Sequence, residues 1–408
     1  MDIYLARQPI LDKKLQVYGY KLLFRGGVHA SAYDAHDTDY ATANTAMENF
    51  QAIGLESITC RKPAFINFTA PLLTAGTAAL IPKDLIVIEL SESIRPSAEI
   101  NEACRKLQKK GYTLALDYFV DKPEYAPLVQ LSKIIKINFF NNSPQQVHQM
   151  IDDAELRDKR LVAENIDSYE MFNVAAGMGF TLFQGYFFTK PLILFSKRLT
   201  PFRISYVNML NEINNNEEAD YSKLEEIIRG DIALCHKLLR MVNSVYYSLK
   251  HKVASIKQAL VVLGVYEIRK WIYFLSIMEL GTDKPDELIR MSLIRGFFTE
   301  QLFELRGKKY PKDTLFFLGI FSMIDILIGQ PMKTALSDLN LMPEVIDALA
   351  ESRGDLYDYL QIIVSIETGN WSETDRLAIK FGINVEFITD NYLRAIKMCD
   401  DILIKEPA

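Results

Sequence analysis

A chain of 408 residues exceeds what one core holds, since single cores stop growing at roughly 250 to 300 residues, and two domains are expected. Apolar residues at 49% and charged residues at 24% exclude an intrinsically disordered chain. A net charge of −6 gives no general attraction to phosphate backbones, so nucleic acid is not an expected partner.

The first ten residues, MDIYLARQPI, have no long apolar stretch behind a basic start and do not read as a secretory signal, which makes the cytoplasm the expected location. Between about residues 60 and 190, short apolar runs each finish on a polar group. They are AFIN at Asn67, LIVIE at Glu89, TLALD at Asp117, IIKIN with Lys136 and Asn138, LVAE at Glu164 and TLFQ at Gln184. Successive ends lie 20 to 28 residues apart, room for a strand, a helix and two loops. Strands buried on both faces read as nearly continuous apolar runs, and a β/α barrel gathers its functional groups at the C-terminal strand ends. The six ends are therefore expected to converge. Between two of them, SAEINEACRKLQKKG has helical apolar spacing with Gly111 where a glycine terminates a helix. Cys60, Cys104, Cys235 and Cys399 are scattered without metal-like spacing and read as reduced, packed thiols.

These residues carry a resemblance. RQPI at 7–10, YGYKLLFR at 18–25, FIN, IELSES, ALDYF, IKIN, VAEN and FQGYFFTKP follow the order of motifs in the EAL domain, a β/α-barrel phosphodiesterase of cyclic di-GMP. The resemblance implies a TIM-like barrel over residues 1–198, in a family where two Mg²⁺ or Mn²⁺ ions activate the water that opens the cyclic dinucleotide. By that resemblance Asn67, Glu89, Asp117 and Gln184 match metal-site positions, Lys136 and Glu164 match the catalytic pair, and Gln8 and Arg25 match nucleotide contacts. The departures decide the reading. Lys21 stands where the family has the glutamate of its name, Tyr118 replaces the second of paired aspartates, FVDKPEYAPLV has no glycine, and Asn138 replaces a further aspartate. Three carboxylates against two lysines leave the site at −1. A lysine about 4 Å from a divalent ion is opposed by roughly 8 kcal/mol at an effective dielectric of about 20. The expectation is a vestigial site in which Lys21 joins Glu89 and Asp117 in a structural ion cluster. No cofactor is then expected, with Mg or Mn required only if catalysis survives.

After about residue 198 the alternation stops and apolar residues recur at helical spacing, so residues 199–408 are expected to form an all-helical domain. NEINNNEEADY at 211–221 reads as a loop, Ser222 with Glu225 as a capping box, and Ser255 to Gly264 as another short helix. LFFLGIFSMIDILIG at 315–329 falls short of the ~20 residues of a membrane span and carries Asp325, which makes it a buried core helix. Residues 227–271 resemble the HDOD domain, a helical relative of the HD phosphohydrolases. Those enzymes need a His-Asp pair on a metal. Here His236 in LCHKLL reads as a partly buried structural histidine, His251 as exposed, and the lone pair His36-Asp37 as loop surface. The combined resemblance implies an EAL–HDOD signalling regulator, its barrel a sensor or scaffold and its helical domain engaging a signalling protein partner, with homodimerisation a family expectation. The alternatives are a phosphodiesterase of weak activity and a receptor that binds cyclic di-GMP without cleaving it.

Overall fold

The computed structural model describes residues 3–26, 54–90, 94–117, 123–139, 142–151, 156, 158–189, 209, 221–243, 252–281, 284–305, 310, 313–337, 339 and 341–403. Eight strands close in chain order into a barrel: β1 Ile3–Asp12, β2 Val17–Gly26, β3 Ala64–Phe68, β4 Ile86–Leu90, β5 Thr113–Leu116, β6 Ile134–Asn138, β7 Arg160–Glu164 and β8 Leu182–Gln184. Strands β2 to β8 are parallel, whereas β1 runs antiparallel to both of its neighbours. The inversion is local in origin. Asp12 Oδ1 accepts from the backbone N–H groups of Lys14 and Gln16 at 2.8 and 3.0 Å, and so short a turn returns the chain only as a hairpin.

Helices α1 Leu55–Ile58, α2 Ala70–Ala75, α3 Ala98–Lys109, α4 Ala126–Leu131, α5 Pro144–Ile151 and α6 Tyr169–Gly177 fall between later strands. The hydroxyls of Ser97 and Ser168 accept from the third residue of α3 and α6, satisfying N–H groups the helix leaves unpaired. Gly111 takes φ 89 just past α3, the left-handed turn expected there. Inside the barrel Ile10, Phe65, Val87, Ala115, Ile134, Val162 and Leu182 form one apolar layer. Side chains alternate faces along a strand, so the layer above, at the C-terminal mouth, consists of Gln8, Lys21, Asn67, Glu89, Asp117, Lys136, Glu164 and Gln184.

The described chain divides into two compact units, Met1–Lys190 with Gln361–Asp400, and Pro191–Leu360 with Asp401–Ala408. This grouping differs from a single division after residue 198, because helical periodicity along 361–400 does not reveal which core that segment joins. In the second unit lie α7 Tyr221–Arg229, α8 Ile232–Val242, α9 Ile256–Leu280, α10 Asp286–Gln301, α11 Thr314–Ile320, α12 Ile324–Ile328, α13 Met332–Leu336 and α14 Pro343–Glu351. Helix α15, Asp355–Glu367, crosses the division, and α16 Trp371–Phe381 with α17 Val385–Leu403 follow. Trp271 and Tyr273 fill the core of the second unit.

Several local readings change. The apolar segment 315–329 is buried but broken, with a 3₁₀ turn at Phe321–Met323 separating α11 from α12 and Gly329 ending the latter in the left-handed region. No described helix is long and apolar enough to cross a membrane. Gly264, at φ 71 and ψ 166, leaves the helical region and breaks α9 there, closing the short segment that begins after Ser255 as expected. Helix α7 begins at Tyr221, which moves Ser222 inside the first turn. His236 is exposed on α8 instead of partly buried. His36, Asp37, Tyr118, residues 211–220 and His251 lie outside the described residues.

The end of β8 is held by close backbone contact. Ile166 N–H donates to the Gln184 carbonyl at 3.1 Å, and Gly185 has φ 153 with no room for a side chain: a β-carbon there would lie 2.1 Å from the Ile166 carbonyl oxygen. Gly185→Ala is expected to lower unfolding free energy by about 2–3 kcal/mol, read from urea midpoints at constant slope.

Candidate active site

The upper layer of the barrel is ionic. Lys21, on β2 opposite Gln8, reaches inward and places Nζ 2.9 Å from Asp117 Oδ2, 3.4 Å from Glu89 Oε2 and 3.8 Å from Glu164 Oε1. Lys136 Nζ pairs with Glu89 Oε1, lies 2.6 Å from Glu164 Oε1 and 3.5 Å from Asp117 Oδ1. Lys136 and Glu89 are fully buried. Each ammonium therefore meets all three carboxylates. Desolvating ions costs several kcal/mol apiece, and only mutual pairing of this kind repays it.

The groups titrate in opposite directions. Burial would raise the Asp117 carboxyl, but Lys136 and Lys21 outweigh burial and hold it well below the usual carboxylate range, helped by hydrogen bonds from Lys21 and Glu164. Glu164 behaves otherwise. Burial first, then the Asp117 charge, pushes its carboxyl up to about 7 against the opposing pull of Lys136 and Lys21. Burial would lower both lysines, yet the surrounding carboxylates hold Lys21 and Lys136 above the ordinary lysine value. With Glu164 neutral the formal charges of the other four groups cancel; with it ionised the cluster carries −1.

The amides lie around this centre. Gln184 Nε2 donates to Gln8 Oε1 at 2.7 Å, and Asn67 is the cross-strand neighbour of Glu89. Asn67 Oδ1 and Gln184 Oε1 are buried without a hydrogen-bond partner among the described residues. Those two acceptors suit a donor or a cation, but the charged donor set does not fit two divalent ions, because the ammonium groups of Lys21 and Lys136 already stand between the three carboxylates. Arg25 is not part of the layer. Its guanidinium is buried and pairs with Asp375 of α16 at 3.1 Å, while Gln8 is engaged with Gln184, so neither nucleotide-matched residue stands open. Nothing near Asp375 in the sequence marks it as a site residue.

A family model for the EAL domain matches residues 37–191, and one for the HDOD domain matches residues 201–340. The chain is 32% identical over 411 aligned residues to the uncharacterised protein YuxH of Bacillus subtilis, covering 99% of both. It is 31% identical to cyclic di-GMP phosphodiesterase CdgJ of Vibrio cholerae, covering 98% of this chain and 93% of that one. Among solved structures, a standalone versatile EAL protein from Vibrio cholerae in its c-di-GMP-bound form aligns at 22% identity over 46% of this chain and 92% of that one, with a TM-score of 0.36.

A raised carboxyl favours folding only while it is protonated. The contribution of Glu164 is complete below its ordinary value of 4.5 and is lost as pH rises through about 7. That of Asp117 is present above its ordinary value of 3.8 and is lost only in stronger acid. The barrel is therefore expected to lose stability between about pH 4.5 and 7, by up to about 3 kcal/mol. Glu164→Gln should flatten that slope in urea titrations across the same range, and an unchanged slope would contradict the assignment.

Proposed function

The chain belongs to the EAL–HDOD family of cyclic di-GMP signalling proteins, and from that premise we propose that it is a signalling regulator whose barrel does not hydrolyse the dinucleotide. The barrel serves as sensor or scaffold, and the HDOD domain engages a protein partner. One observation carries the reading: Lys21 Nζ sits within 3.8 Å of Glu89, Asp117 and Glu164, in the space cations would need. A fixed ammonium cannot polarise a phosphodiester while bringing a bound hydroxide, which is the work a divalent ion does in this chemistry. Lys136 is likewise committed to the carboxylates, pairing with Glu89 and Glu164.

A second reading, a phosphodiesterase of weak activity using Mg or Mn, is favoured by the 31% identity to a protein named for that activity. It also draws on the persistence of Asn67, Glu89, Asp117, Lys136, Glu164 and Gln184 at the mouth. Under this reading Lys21 must leave the cluster before ions enter. A receptor that holds cyclic di-GMP through Gln8 and Arg25 needs both side chains to give up their present partners.

Isothermal titration of Mn²⁺ into the full chain, with chromatography of cyclic di-GMP after incubation, separates the readings. The wild type is expected to show neither ion uptake nor linear product. Lys21→Glu, which takes the formal charge of the layer from −1 to −3, is expected to gain Mn²⁺ binding. Turnover by the wild type at a rate comparable to the variant would overturn the proposal.

A further inference from the structure

The β1–β2 ribbon continues above the ionic layer. Alternation along the strands places Leu23 and Arg25 on the inward face shared with Lys21, and Ala6 and Tyr4 on that shared with Gln8; Tyr4 and Arg25 are direct cross-strand partners. Four residues beyond Lys21, Arg25 stands roughly 13 Å further up the ribbon. The two side chains therefore overlook the barrel mouth.

That face is covered by residues 367–375, the end of α15 and the start of α16. The Tyr4 ring stacks on the Trp371 indole with centroids 5.5 Å apart and planes 10° from parallel. Its hydroxyl donates to Asp375 Oδ1 at 2.7 Å, and Arg25 Nη1 donates to Asp375 Oδ2 at 3.1 Å. Tyr186, just after β8, donates its hydroxyl to the Glu367 carbonyl, and Gly369 approaches Leu23 closely enough that a β-carbon would lie 3.3 Å from Cδ1. Further along the chain, on α17, the Asp400 carboxylate lies 3.2 and 3.3 Å from Cys60 Sγ.

Two donors from adjacent strands thus converge on one carboxylate, each oxygen receiving one hydrogen bond. A guanidinium fork donates to carboxylate and phosphate oxygens alike, and Arg25 is buried where it meets Asp375. Burial and the neighbouring Asp375 both raise the Tyr4 hydroxyl, which keeps its proton available for donation.

We propose that Tyr4 and Arg25 form an anion seat at the barrel mouth, that Asp375 occupies it as a built-in carboxylate ligand, and that a phosphodiester must displace Asp375, and with it residues 367–375, to bind there. The two occupants share one seat and are mutually exclusive. Linkage then requires that whatever loosens the segment tightens the ligand by the same factor. In this way a change in the helical segment reaches the barrel mouth without a change in the ionic layer. The inference stands whether or not that layer is catalytically silent.

The test uses the full chain and cyclic di-GMP as the phosphodiester probe, in EDTA so that hydrolysis does not intervene. Asp375→Asn is expected to bind the probe at least tenfold more tightly than the wild type. Trp371→Phe, which weakens the stack and leaves the seat intact, is expected to bind at least threefold more tightly, a second route should the first variant fold poorly. Saturating probe should red-shift the Trp371 emission of the wild type, isolated by subtracting the Trp371→Phe spectrum. Equal affinities across the three proteins, binding that leaves the Trp371 emission in place, or absence of binding in all three at high micromolar probe would each overturn the proposal.

Discussion

Three carboxylates and two ammonium groups share one layer of a closed barrel, and that shared burial governs what the mouth can do. Water is largely excluded, so charges must be balanced by neighbours within hydrogen-bond reach. Lys21 and Lys136 provide that balance to within one charge, and the remaining charge rests on Glu164. A site that recruits divalent ions keeps a surplus of negative potential in reserve. Here the surplus is spent inside the fold, and the same residues that would ligate ions instead tie β2, β4, β5, β6 and β7 to one another.

Much of this was legible in the sequence because it is written locally. Each buried strand shows as a continuous apolar run, and the polar residue that ends it marks the mouth; the recurrence from Asn67 to Gln184 carries both strand spacing and convergence. The basic residue in place of an acid at position 21 follows from the motif order, and its consequence follows from Coulomb's law. The direction of β1 was less visible, since it depends on the Asp12 turn, which four residues encode without any apolar pattern.

What the sequence concealed is long-range. Tyr4 and Asp375 are 371 positions apart, and Arg25 and Asp375 are 350 apart. Helical periodicity shows that α16 and α17 have an apolar face, not what the face meets. The same limit hid the exposure of His236, whose helix supplies no marker of its outward side. The 3₁₀ break in the segment 315–329 has a similar cause, because a run that is apolar all round is buried whether or not its backbone is continuous.

The most direct measurement is anomalous diffraction at the manganese edge from crystals of the full chain grown in millimolar MnCl₂. The account requires the Lys21 ammonium in density between Glu89 and Asp117 with no anomalous peak beside it. Two manganese peaks bridging those carboxylates, with the Lys21 side chain swung out of the layer, would contradict it.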